Sequence, residues 1–86
     1  MNIETGSFYI KIPNEITSAN IQKKLFKMGF RWSSGDKTVK FTNRKILCLD
    51  DRIITYTDDD GIYIIKNKSH EISERDILGR GYAYEY

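Results

Sequence analysis

Eighty-six residues with a net charge of +2, one cysteine, one histidine and one proline describe a single small domain, one that buries only about 60–65% of its unfolded surface. No apolar run nears the ~20 residues that span a bilayer, no secretory leader is readable in MNIETGSFYIKI, and a lone cysteine cannot close an intramolecular disulfide. A cytoplasmic protein that enters no membrane is therefore expected.

Ser7 to Ile12 alternates, with Phe8, Ile10 and Ile12 on one side and Tyr9 and Lys11 on the other. That is the pattern of a half-buried strand, and Pro13 ends it. A helix is expected from Ser18 to Met28, with Thr17 or Ser18 as its N-cap and Gly29 as a left-handed stop. Ile21, Leu25 and Met28 form its core stripe, and Lys23, Lys24 and Lys27 fall on the opposite side. Phe26 lies at the flank, where edge-of-core packing outweighs a ligand-stacking role.

Phe30, Arg31 and Trp32 open a strand that Ser33-Ser34-Gly35-Asp36 turns back, and Val39 and Phe41 share one face of the expected return strand. Ile46 to Leu49 is a continuous apolar run, as in a central strand covered on both faces. Asp50-Asp51 reads as a turn, Arg52 to Thr57 as a strand, Asp58 to Gly61 as a hairpin turn, and Ile62 to Lys66 as another strand. In SHEISERDIL, Ser73 and Asp76 resemble a helix cap, and Ile72, Ile77 and Leu78 can dock a single turn. The segment 79–86 is an aromatic tail beyond a domain of residues 1–78, with Tyr82, Tyr84 and Tyr86 as partner-contact residues. The expected class is α+β, one amphipathic helix on a four- to six-stranded, mainly antiparallel sheet in two layers.

Charge is segregated along the chain. Residues 1–49 hold nine Lys or Arg against three Asp or Glu, a balance of +6, and residues 50–86 hold five against nine, a balance of −4. The basic half carries Lys23, Lys24, Lys27, Arg31, Lys37, Lys40, Arg44 and Lys45, a set able to track a phosphate backbone. Equally, charge runs of this kind are often only solvated faces. Tyr9 and Trp32 would stack unpaired bases if they lie at the surface, although the sole tryptophan of a small domain is more often core.

Catalysis needs mutually activating groups. Cys48 sits inside ILCL as a core thiol, and His70 stands beside Glu71 in a polar connection, so a non-enzymatic protein is expected. No metal-ligand spacing and no phosphate-cradling glycine loop is present, so no cofactor is expected. Asp50, Asp51 and Asp58–Asp60 read as turn chemistry, with imitation of phosphates toward a basic enzyme as a further alternative.

The run from Leu25 through GFRWSSG to Gly35, with ITYTDDDG and HEISERDIL after it, resembles a group of small accessory proteins of tailed bacteriophages. In that group a helix ends in a Gly-aromatic-x-Trp-x-Ser-Gly hairpin. The resemblance covers residues 20–78, and residues 29–35 are its most distinctive part. It implies a non-enzymatic inhibitor or counter-defence protein in the host cytoplasm. Small early phage proteins frequently bind and inhibit host enzymes or defence systems, as the phage inhibitor of the ToxIN toxin–antitoxin system acts on an endoribonuclease and contacts RNA. A host nuclease or toxin is therefore the expected partner. A nucleic-acid-binding domain without a protein target is the alternative, and the apolar sheet and aromatic tail allow a homodimer.

Overall fold

The computed structural model describes residues 3, 5–57 and 69–79. In chain order these form β1 (Ser7–Lys11), α1 (Glu15–Lys27), β2 (Arg31–Trp32), β3 (Ile46–Asp50), β4 (Ile53–Thr57), β5 (His70–Ile72) and α2 (Glu74–Leu78). The five strands make one sheet in the order β2-β4-β3-β1-β5. β3 lies at its centre, where the apolar run ILCL belongs. The expected strand Ile62–Lys66, the Asp58–Gly61 turn and Tyr82, Tyr84 and Tyr86 lie outside the described residues.

The α+β class holds, with α1 against one face of the sheet and α2 packed beside it. The sheet is mixed. β3 runs antiparallel to both β1 and β4, whereas the outer strands β5 and β2 run parallel to β1 and β4. β5 is delivered from far along the chain, its Phe8↔His70 register joining a strand near the N-terminus to one beyond residue 69.

The helix begins three residues earlier than its side-chain pattern suggests. Asn14, not Thr17 or Ser18, is the N-cap, and its Oδ1 accepts from the Thr17 amide at 2.7 Å. Thr17 and Ser18 are instead helical and buried. The far end follows expectation. Gly29 at φ +94° lets the Gly29 and Phe30 amides donate to Phe26 O and Leu25 O, at 3.1 and 2.9 Å, and so close the helix in a Schellman motif.

The core joins Ile10, Ile12, Leu47, Leu49, Ile54 and Ile72 of the sheet side to Ile21 and Leu25 of α1, with Phe30, Trp32 and Ile77 completing it. Full burial of each such side chain is worth about 1.5–3 kcal/mol. Phe26 and Met28 pack at its margin. Tyr9 faces away from this cluster yet is 3% exposed, with its hydroxyl donating to Glu71 Oε1 at 3.3 Å. The single cap turn near the end is real. The Asp76 carboxylate accepts from the Ser73 amide at 2.8 Å, and Ile77 is buried.

The expected return strand across Val39 and Phe41 does not form. Its backbone groups are taken by side chains instead of a neighbouring strand. Gln22, fully buried in α1, donates through Nε2 to Lys40 O at 2.8 Å and accepts through Oε1 from Lys40 N at 3.0 Å. Trp32 Nε1 donates to Thr38 O at 2.9 Å. Residues 37–45 therefore run as an irregular segment along α1. Gln22→Ala strips both partners from Lys40, and a buried polar group left unpaired costs about 1–3 kcal/mol. The expected outcome is a stability loss of that size in urea unfolding, with faster hydrogen exchange at the Lys40 amide. An unchanged midpoint and unchanged exchange contradict the assignment.

Candidate nucleic-acid interface

β2 is short because its two residues do different work. Trp32 turns into the core, and Arg31, the preceding residue of an alternating strand, points to the opposite face of the sheet. Beyond Trp32, the Gly35 amide donates to Trp32 O at 2.7 Å and the Trp32 amide donates to Asp36 O at 3.0 Å. The chain then passes over Trp32, and the fixing of Lys40 by Gln22 sets the direction of the next side chain, Phe41.

Phe41 sits at φ +55°, a left-handed backbone that aromatic residues rarely adopt and that costs about 1–3 kcal/mol. Its ring meets Trp32 edge-on at 5.3 Å and Tyr56 of β4 at 4.8 Å. Aromatic contacts of this kind give about 0.5–1.5 kcal/mol each, enough to offset the strain. Trp32 is 3% exposed, whereas Phe41 and Tyr56 are 39% and 38% exposed. The cluster thus has a buried base and two rings open to solvent.

Two cations stand over it. Lys40 Nζ lies 5.6 Å from the Trp32 ring centre and 5.4 Å from that of Phe41, and the Arg44 guanidinium carbon lies 4.6 Å from that of Tyr56. Exposed cation–π contacts are worth about 0.5–1 kcal/mol. A recess of about 280 Å³ opens here, lined by Trp32, Ser33, Ser34, Lys40, Phe41, Thr55 and Tyr56.

Asp36 clasps one wall. Its Oδ2 accepts from Lys40 Nζ at 2.8 Å and from Ser34 Oγ at 2.6 Å. The Lys40 ammonium first, and Ser34 second, hold its carboxyl down from 3.8 to about 2.

The eight basic residues do not share one face. Lys40 and Arg44 gather on the aromatic cluster, and Lys37 and Lys45 are exposed at the two ends of the same segment. Lys23, Lys24 and Lys27 are exposed on the outer side of α1, where Ile16 falls within about 20° of Lys23 and of Lys27 around the helix. Arg31 lies on the far face of the sheet. Among the described residues, Lys23, Lys24 and Lys27 have no carboxylate within ion-pair distance. Lys11 pairs with Glu71 at 3.9 Å.

Of the two aromatic residues singled out by sequence, Tyr9 and Trp32 are both buried, and neither offers a free ring face. Phe41 and Tyr56 do. Period-two alternation from Ile54 places Tyr56 on the core side of β4, beyond the part that α1 covers. Nothing in the local sequence marks Phe41 as outward.

The groups of possible catalytic interest are quiet. Cys48 is half-buried, and burial, only partly opposed by a hydrogen bond with Thr55, pushes its thiol up, away from the reactive thiolate. Among the described residues no group of three or more His, Cys, Asp or Glu could hold a metal ion. No described helix is long and apolar enough to cross a membrane.

Because Asp36 titrates lower in the folded state, its ion pair adds stability above about pH 3.8 that is lost as pH falls through about 2. Asp36→Asn is expected to melt below wild type at pH 7, with the gap closing toward pH 2. A gap of equal size at both pH values contradicts the pairing. No protein-family model, no curated protein and no solved structure matches this chain.

Proposed function

We propose that this chain is a non-enzymatic binding protein that takes up RNA through the segment 37–45. The observation carrying this reading is the coincidence of charge and ring on one patch. Arg44 lies 4.6 Å from the centre of the solvent-open Tyr56 ring, with the Asp36-paired Lys40 over Phe41, so phosphate neutralisation by Arg44 and base contact can occur together. Lys37 and Lys45 extend the charge to both sides.

Binding of this kind has a salt signature. Three phosphate contacts on a single strand give a slope of log affinity against log salt of about −2, so affinity drops roughly twentyfold between about 50 and 200 mM. Lys37→Ala, Arg44→Ala and Lys45→Ala are each expected to flatten that slope by about 0.7, as read by anisotropy of a labelled RNA. An affinity independent of salt removes the reading.

A second reading is favoured by Ile16, which is 57% exposed on the same outer side of α1 as Lys23 and Lys27, about two and three turns before them. A helix side that joins an exposed apolar residue to three cations suits an acidic protein surface. In the setting that the phage-like residues 29–35 imply, that partner is a host nuclease or toxin, and the protein inhibits it. The two surfaces are separable. A pulldown from nuclease-treated host lysate is expected to retain a protein with wild type and to lose it with Ile16→Glu or with combined Lys23→Glu, Lys24→Glu and Lys27→Glu. RNA affinity changes little in those variants. Retention of the same protein by both variants rejects the second reading.

A further inference from the structure

We propose that the recess bounded by Phe41, Tyr56 and Ser34 is a subsite for one unpaired nucleobase of a single strand, making the protein selective for single-stranded over duplex RNA. This rests on the RNA-binding reading above and specifies which form of RNA the site takes.

Four observations converge on it. First, Phe41 and Tyr56 sit 4.8 Å apart with interplanar angle 43° and are more than a third exposed, so they offer open ring surface that a base can cover. Stacking on aromatic faces is the sequence-tolerant way in which proteins hold unpaired bases. Second, the Phe41 backbone is held in the left-handed region at φ +55°. Turning a phenyl group outward in a strained conformation is the kind of outlier that marks a ligand-contact position.

Third, Ser33 and Ser34 line the walls, and a serine hydroxyl can donate to or accept from a base edge. Fourth, the volume of about 280 Å³ lies just below the range of about 300–1,000 Å³ typical of small-molecule pockets. One base, smaller than a drug-sized ligand, fits such a space. Arg44, over the Tyr56 ring, then stands where a flanking phosphate of the strand can pass. A paired base, already stacked within a helix, cannot enter. The larger recess at the other edge of the sheet, lined by Glu71, Glu74 and Asp76 with Lys11, carries the wrong charge for this ligand.

The test measures binding of the full chain to a labelled oligouridylate of about 12 nucleotides, a length within single-strand site sizes, to a duplex of equal length, and to uridine monophosphate. Wild type is expected to prefer the single strand at least tenfold, and the mononucleotide is expected to bind far more weakly. Phe41→Ala and Tyr56→Ala are each expected to weaken single-strand binding about fivefold or more and duplex binding by less. Tyr56→Phe, which keeps the ring, retains wild-type affinity.

Trp32, the sole tryptophan, gives a readout in unmutated protein. Its emission is expected to change with the single strand and not with the duplex. Salt-dependent binding that does not distinguish strand from duplex and ignores Phe41→Ala and Tyr56→Ala overturns the subsite while leaving the RNA-binding reading intact. Tight binding of the mononucleotide alone also overturns it, since the recess is then a nucleotide pocket. Failure of wild type to bind any RNA at low salt removes both.

Discussion

The carboxamide of Gln22, enclosed between α1 and the segment 37–45, donates to the carbonyl and accepts from the amide of the same residue, Lys40. That pairing reproduces with one side chain what a neighbouring strand would supply with its backbone. Buried peptide groups must be satisfied, and the segment from Lys37 to Lys45 contains no regular structure to do so. Once Gln22 and the Trp32 indole have taken Lys40 and Thr38, the middle of the segment is fixed against the helix, and it meets the sheet side again where the Ile12 amide donates to Lys45 O at 2.7 Å. The amide is itself further anchored by donation from Nε2 to Ser18 Oγ at 3.1 Å. The outward placement of Phe41 and the position of Lys40 over the rings both follow from this anchoring.

The energetics of the patch are closely balanced. Left-handed backbone at Phe41 opposes folding, and two ring contacts with an overlying ammonium offset it by a similar amount. The arrangement contributes little net stability. What it does fix is position, because the Asp36 carboxylate ties Ser34 and Lys40 together across the turn. A surface whose parts are already held in place loses less conformational freedom when something docks there.

Much of the fold was legible in the residues. The alternation of β1, the stop at Gly29, the central strand ILCL and the docked turn around Ile77 all rest on short-range patterns, and short-range physics decides them. The start of α1 was missed because Thr17 and Ser18 offer good capping hydroxyls, whereas Asn14 competes from three residues earlier with a side chain that reaches Thr17 N. The return strand was missed for a different reason. Val39 and Phe41 alternate as a strand does, but the partner that decides their conformation is a glutamine eighteen residues away. The basic residues were correctly seen as numerous in the first half. Their division between the outer helix, the segment 37–45 and the far face of the sheet depends on strand alternation and helix phase acting together, which a linear count of charges does not contain. Phe41 and Tyr56 escaped notice because exposure of an aromatic ring is a property of what fails to cover it.

The parallel pairing of β1 with β5 has a bearing on how the polypeptide is made. β1 is made before both of its neighbours, one of which ends at Asp50 and the other at Ile72. At about 5–20 residues per second, β1 emerges roughly 2–8 s before its first flank is synthesised, and about 1–4 s more pass before the second. During that interval Phe8 and Ile10 sit in a strand whose edges are open, the state most prone to wrong association. β1 is thus flanked on its second side only after the chain as far as Ile72 has been made.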